Sequence, residues 1–333
     1  MRLPMYASGF LALAGCAMAA VAPSGTQLRP EIDTFIGEMV ERHGFARSKL
    51  EDTFRAAQFQ PAIIAAISRP ATSKSWHEFR PMLVNPQRVK DGVIFWNSHA
   101  STLERARKEF GVPEEIITAV IGVETNYGVQ SGKHRVLDAL TTLAFGYPKR
   151  APFFREELEH YLLLGREQNA DIRNIKGSYA GAIGIPQFMP SSYRRYAVDF
   201  DKDGKVDLSG SAVDAIGSVA NYLKGYGWEA EQSIAMPALV NGESYRDALY
   251  DGNQPVHTVA DIKQWGIVPQ GDAPANREAV LVELENAGGK EYWLGFTNFY
   301  VITRYNRSAN YAMSVMQLAE EIRAERNSKS SGS

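Results

Sequence analysis

The run PEEIITAVIGVETNYG, residues 113–128, constrains the fold more than any other stretch of the chain. Pro113 suits a helix start, and Glu114 and Glu115 follow in the first turn, where the helix dipole favours carboxylates. Ile117, Val120, Ile121 and Glu124 then recur at i, i+3, i+4 and i+7, so one helical stripe carries three aliphatic side chains and a carboxylate. A helix this apolar needs a core around it. Glu124 therefore points inward, in the last turn before Asn126 and Gly128, near the negative end of the dipole. Desolvation and dipole both disfavour its anion, so its pKa should rise and let it hold a proton near neutral pH, as a general acid must. A buried structural carboxylate would occupy the same position, and the run alone does not separate the two.

The rest of the chain can supply that core. Its 333 residues are 44% hydrophobic and 22% charged, the balance of an ordinary globular protein. The 36 Lys and Arg nearly cancel the 38 Asp and Glu, which gives no electrostatic reason for a nucleic-acid partner. Helical punctuation recurs to about residue 228. Pro30 opens a run with Ile32, Phe35, Ile36 and Met39 at helical spacing, Ser48 can cap the next through Phe54, and Asn85-Pro86 can start another that ends near Gly111. Further helical runs lie at 136–145, 152–168 and 212–225. After Trp228 the pattern changes to strands: MPALV, then AVLVELE and KEYWLGF flanking a Gly-Gly turn as a β-hairpin. From 308, SANYAMSVMQLAEEIRAE reads as an amphipathic helix and NSKSSGS as a frayed tail. The expected fold class is mainly α (α+β), with a small antiparallel β domain.

The one cysteine, Cys16, sits in FLALAGCAMAA behind Arg2. This apolar segment is too short to span a bilayer and suits the core of a signal peptide. LAGC resembles the bacterial lipobox, which implies cleavage before Cys16 and lipidation of its thiol; Ala17 is compatible with outer-membrane retention. The alternative is an ordinary signal, cut after an A-x-A-like site, with Cys16 discarded. Either way the mature domain has no cysteine for disulfides or thiol chemistry. VAPSGTQLRP, residues 21–30, reads as a tether.

DFDKDGKVDLSG, residues 199–210, sets Asp199, Asp201, Asp203 and Asp207 at positions 1, 3, 5 and 9 of an EF-hand-like loop. Gly204 stands at the sharp turn, and Lys205 offers its carbonyl at position 7. Position 12, normally a bidentate Glu, is Gly210. The loop should bind Ca2+ with reduced affinity and a structural role, completed by water or by Asp214, a residue also suited to cap the following helix. The bland reading is an empty acidic turn.

IGVETNYG, LDALTTLAFGYPKRAPFF, KGSYAGAIGIPQFMPSSYRRYAVDFDKDGKVDL, DAIGSVANYLKGYGW and FYVITRYNRSANYAMSV, in this order between about 30 and 320, together resemble the membrane-bound lytic murein transglycosylase B family, of glycoside hydrolase family 103 type. The resemblance implies a lysozyme-like helical core with an EF-hand-like loop. It implies Glu124 as sole acid/base, cleaving the β-1,4 bond between N-acetylmuramic acid and N-acetylglucosamine without water and leaving a 1,6-anhydromuramic end. It further implies substrate-binding roles for Ser178, Gln187, Phe188, Tyr222, Tyr305, Asn306 and Tyr311. The family's chemistry needs no second carboxylate, since the muramyl 6-hydroxyl is the nucleophile, and these groups are uncharged. Two positions depart from the family pattern: Phe79 replaces a frequent Tyr, and Lys149-Arg150 stands where an Arg pair is common.

The expected organisation is a signal peptide at 1–15, a tether at 16–30 and a helical domain at 31–110 joined by a helix at 308–326. A catalytic core with the calcium loop follows at 111–230, then a β domain at 231–297, a groove-lining segment at 298–307 and a tail at 327–333. The partners implied are peptidoglycan glycan strands, the membrane through a lipid at Cys16, and cell-wall synthesis proteins; no organic cofactor is expected. The place implied is the periplasm, on the outer membrane. A non-catalytic peptidoglycan-binding lipoprotein and a hydrolytic lysozyme-like muramidase are the alternatives.

Overall fold

The computed structural model describes residues 28–68 and 74–330. The expected signal peptide, Cys16 and most of the tether lie outside the described residues. The chain forms two compact units, one reaching to Arg55 and the other starting at Ala56. The division thus falls inside the helical domain expected at 31–110.

The first unit contains α1 (Pro30–His43) and α2 (Arg47–Arg55). Ile32, Phe35, Ile36 and Met39 of α1 and Leu50 and Phe54 of α2 are buried, as their spacing requires. The Phe35 and Phe54 rings meet edge to face at 6.0 Å. Gly44, with φ of 65°, ends α1 in the left-handed conformation that favours glycine.

The second unit is built around α7 (Glu114–Thr125), in which every residue from Ile116 to Gly122 is buried. α5 (Pro86–Ser98), α6 (Ala100–Phe110), α11 (Ala212–Gly225) and α14 (Ala309–Ser330) all pack on it. This packing draws residues 86–110 into the core unit. α3 (Pro61–Ile67) lies on α8 (Val136–Gly146), which pairs along its length with α9 (Ala151–Glu167). α4 (Trp76–Leu83) packs against α14, and α10 (Pro190–Tyr196) against α9 and α11. α14 departs from the expected amphipathic helix. Tyr311, Ala312, Met313, Val315, Met316, Leu318 and Ala319 are all buried, because α4, α5, α7 and α13 (Thr297–Thr303) surround that half. It also continues to Ser330, four residues into the expected tail.

Two short strands, β1 (His134–Arg135) and β2 (Lys176–Gly177), pair antiparallel and carry no periodicity a sequence reading could detect. The remaining strands are β3 (Ala235–Val240), β4 (His257–Thr258), β5 (Ile267–Pro269), β6 (Glu278–Asn286) and β7 (Gly289–Gly295). They form an antiparallel sheet in the order β4-β6-β7-β3-β5, packed with α12 (Val259–Gln264) over Ile262, Ile267, Leu281, Leu294 and Phe296. Asn286 pairs with Gly289, so the hairpin turns at Ala287-Gly288, one residue earlier than the Gly-Gly pair indicated. No helix among the described residues is long and apolar enough to cross a membrane.

The end of α7 is fixed by the side chain that follows it. Tyr127 turns back between α5 and α7, and its hydroxyl donates to the Arg88 carbonyl at 2.7 Å. Its ring lies where a Cβ on Gly122 would come within 2.6 Å of Cζ and Oη, and a Cβ on Gly92 would come equally close to Oη. These two glycines form the slot. Gly122→Ala should therefore destabilise the protein by roughly 1–3 kcal/mol through overpacking, outweighing the ~1 kcal/mol gain in helix propensity. Urea unfolding of the variant measures this; equal or greater stability would show that the slot yields.

Candidate active site at the end of α7

Glu124 occupies the last turn of α7, as its phase predicts, and is half-buried. The helix stops because Asn126 adopts a left-handed conformation, φ 50° and ψ 55°, and Tyr127 and Gly128 continue it at φ 60° and 90°. Glu124 Oε1 accepts a 2.5 Å hydrogen bond from Tyr311 of α14. Burial pushes its pKa up to about 7, and the Tyr311 hydroxyl pulls the other way. Burial raises the pKa of Tyr311 and Tyr305 well above the ordinary value, and the neighbouring Glu124 raises both further. Among the described residues no second carboxylate is one of the influences on Glu124.

An aromatic tier adjoins this carboxylate. Tyr305 stacks on Tyr222 of α11 at 4.5 Å and on Phe188 at 5.8 Å, and Phe188 lies 5.3 Å from Tyr222. The Tyr222 hydroxyl donates to the Arg304 carbonyl at 2.7 Å and that of Tyr305 to the Pro186 carbonyl at 3.1 Å. Phe188 corrects an expectation. It is 1% exposed, so it supports the two tyrosine rings from the core and does not line a sugar subsite. Tyr226, which the sequence reading passed over, extends the tier at 4.7 Å from Tyr222. Its i, i+4 spacing from Tyr222 was the available signal.

Ser178 sits in the turn after β2 and is half-buried. Its Oγ accepts the N–H of Ala182 at 3.1 Å and of Ala180 at 3.3 Å, which leaves its O–H to donate elsewhere. Gln187 holds the left-handed value φ 52°, and both protons of its amide group are engaged, by the Ser131 carbonyl at 3.0 Å and the Gly184 carbonyl at 2.8 Å. Asn306 is exposed on the segment after α13. Tyr127 is half-buried and turns back between α5 and α7 as described above. Phe79 is buried in α4, and Arg150 lies over the Phe153 ring at 4.2 Å.

The acidic loop divides into two parts. Carboxylate oxygens of Asp199, Asp201 and Asp203 lie within 4.8 Å of one another, a donor set that suits a hard cation. Lys205 donates its N–H to Asp203 Oδ1 at 2.8 Å. Asp207 turns away, accepting from the N–H groups of Ser209 at 2.9 Å and Gly210 at 2.8 Å. A Cβ at Gly210 would lie 2.5 Å from Asp207 Oδ2, so a glutamate at position 12 would have to displace that carboxylate. Asp214 is not the helix cap; Ser211 is, accepting from the Asp214 N–H at 3.1 Å. The buried Asp214 carboxylate instead accepts from the backbone of Phe200, Asp207 and Asp201 and fastens the loop from inside.

The raised pKa of Glu124 predicts a stability effect with a definite sign. The folded state holds this proton more tightly than an unfolded glutamate near 4.5 does, so stability is highest below about 4.5 and declines as pH rises toward about 7. Glu124→Gln should therefore be more stable than the parent at pH 8, by about 1–3 kcal/mol, and the gap should close at pH 4. Urea unfolding at the two pH values checks it.

Comparison with known proteins agrees with this geometry. Residues 27–320 match the family described as the transglycosylase SLT domain. The chain is 41% identical over 303 residues to membrane-bound lytic murein transglycosylase B of Escherichia coli, covering 88% of this chain and 82% of that one. Its structure resembles the soluble lytic transglycosylase SltB1 of Pseudomonas aeruginosa, with a TM-score of 0.84 and 47% identity, over 90% of this chain and 100% of that one. It also resembles lytic transglycosylase Slt35 of Escherichia coli in complex with calcium, with a TM-score of 0.81 and 42% identity, over 89% and 94% of the two chains. The expected mainly α, lysozyme-like fold is thereby borne out. A core helix ending in a carboxyl of raised pKa, the matching domain and these relatives lead to one conclusion: the chain belongs to the membrane-bound lytic murein transglycosylase B family and is a lytic murein transglycosylase.

Proposed function

We propose that Glu124 is the only acid/base of the reaction. The observation that carries this reading is a carboxyl with a pKa of about 7, held by one tyrosine and acted on by no other carboxylate among the described residues. Near neutral pH such a group can both give and take a proton. Tyr311 donates to Oε1, so the acidic proton rides on Oε2. From there it passes to the glycosidic oxygen between N-acetylmuramic acid and N-acetylglucosamine as the bond to C1 breaks. The muramyl 6-hydroxyl oxygen then closes onto C1 and returns its proton to Glu124. The product carries a 1,6-anhydro ring and no water has entered. A hydrolytic or two-carboxylate mechanism would need a second acid beside the first.

The proposed substrate is the glycan strand of murein, with Ser178 donating to an acetamido or hydroxyl oxygen and Gln187 accepting through its carbonyl oxygen. Tyr305 contributes a ring face suited to the C–H faces of sugars, backed by the buried Tyr222 ring, and Asn306 a free amide. Asp199, Asp201 and Asp203, with the carbonyl of Lys205, are proposed to hold a structural Ca2+; the calcium complex of Slt35 supports this. Asp207 is proposed to shape the loop. Attachment to the outer membrane through a lipid on Cys16 in the periplasm is proposed from the lipobox resemblance, and the membrane-bound relative supports it.

Purified murein separates the readings. Digestion should release muropeptides one water lighter than muramidase products, and Glu124→Gln should lose about 10²–10⁴-fold in rate. Reducing muramic ends would mean a hydrolase, and no cleavage would mean a binding protein. Calcium should raise stability by about 2.7 kcal/mol at a hundredfold excess over Kd. Asp201→Ala should abolish that gain, and an unchanged Tm in both proteins would remove the metal.

A further inference from the structure

We infer that Thr125 is a positioning residue for the reaction: its hydroxyl latches the end of α7 to the carbonyl of Ile185 and so holds Glu124 in place. This rests on Glu124 being the acid proposed above. Thr125 is 1% exposed, and its Oγ1 donates to the Ile185 carbonyl at 2.8 Å while accepting the N–H of Gly128 at 3.0 Å. The helix's own acceptor, the Ile121 carbonyl, is farther away at 3.3 Å. A buried threonine in the middle of a helix commonly bonds back to its own turn; here the stronger partner is 60 residues away.

The latch closes a turn that otherwise works against itself. Asn126 and Tyr127 both hold positive φ, a conformation that costs non-glycine residues on the order of 1–3 kcal/mol each and persists only when its surroundings over-determine it. Tyr127 is held by its slot and the Arg88 carbonyl, and the Gln130 N–H donates to the Thr125 carbonyl at 2.8 Å. Thr125 joins this turn directly to the 183–188 segment, where Ile183 bridges both Gly177 and Phe188, while Gln187 of the same segment reaches the Ser131 carbonyl just past the turn. The Thr125 hydroxyl is thus the tie that starts from the helix itself, next to Glu124, and sets its distance from the loops bearing Ser178 and Gln187. A misplacement near 1 Å can lower a rate by about 10²-fold.

The test compares Thr125→Val, which keeps the shape and removes the hydroxyl, with Thr125→Ser, which keeps the hydroxyl. Glu124→Gln runs in parallel, on soluble glycan strands, with kcat and KM measured separately. Thr125→Val should lower kcat by roughly 10- to 100-fold with KM within about twofold, and Thr125→Ser should restore kcat to within about threefold of the parent. Circular dichroism and urea unfolding identify the folded fraction, to which rates are normalised. If folded Thr125→Val keeps the parental kcat, or if Thr125→Ser loses as much as Thr125→Val, the positioning role is wrong. If Glu124→Gln remains active, the acid assignment itself falls, whatever the Thr125 variants do.

Discussion

Keeping water from one carboxyl governs how the second unit is put together. Glu124 can hold a proton near neutral pH because α7 is sunk in the core, and its burial outweighs the opposing pull of the Tyr311 hydroxyl that α14 brings against it. Both helices must then be buried almost all round at that level, which explains the unbroken apolar run of α7 and the loss of a polar face on the first half of α14. The arrangement is costly for folding, since a raised carboxyl pKa is a standing penalty on the ionised form. Packing of α5, α6 and α11 around the same helix offsets it.

Much of this was legible in the chain. Three aliphatic residues and Glu124 on one stripe, a polar Gly-ended turn and a string of helix starts sufficed for the helix, its direction and the inward carboxylate. What escaped was set by contacts distant in sequence. Phe188 reads as a surface aromatic in PQFMPSS, and only the rings of Tyr222 and Tyr305 show that it belongs to the core. The two-residue strands β1 and β2 are too short for any period, yet they set the turn that carries Ser178. Asp214 stands where a helix cap could be, and its use by three backbone groups of the preceding loop depends on how that loop folds back. The boundary at Arg55 was missed because residues 86–110 look like any other helices until α7 is found between them.

The acidic loop shows the same dependence on geometry. An EF-hand pattern with glycine at its last position reads as a site lacking a ligand. In the folded loop the Asp207 carboxylate lies where a side chain at that position would begin. The clustered carboxylates are therefore the three of Asp199, Asp201 and Asp203, fastened beneath by the buried Asp214.

The protons of the groove side chains have a common direction. Tyr222 and Tyr305 point their hydroxyl protons at main-chain carbonyls, Gln187 directs both amide protons the same way, and Tyr311 turns its own toward Glu124. What these groups keep unused is lone pairs. These four side chains thus share a hydrogen-bond polarity: they receive, while Ser178 and the exposed Asn306 amide can give. An N-acetylated sugar, dense in O–H and N–H donors, matches such acceptors, and under the proposed role of Glu124 the proton for the scissile oxygen has a source of its own.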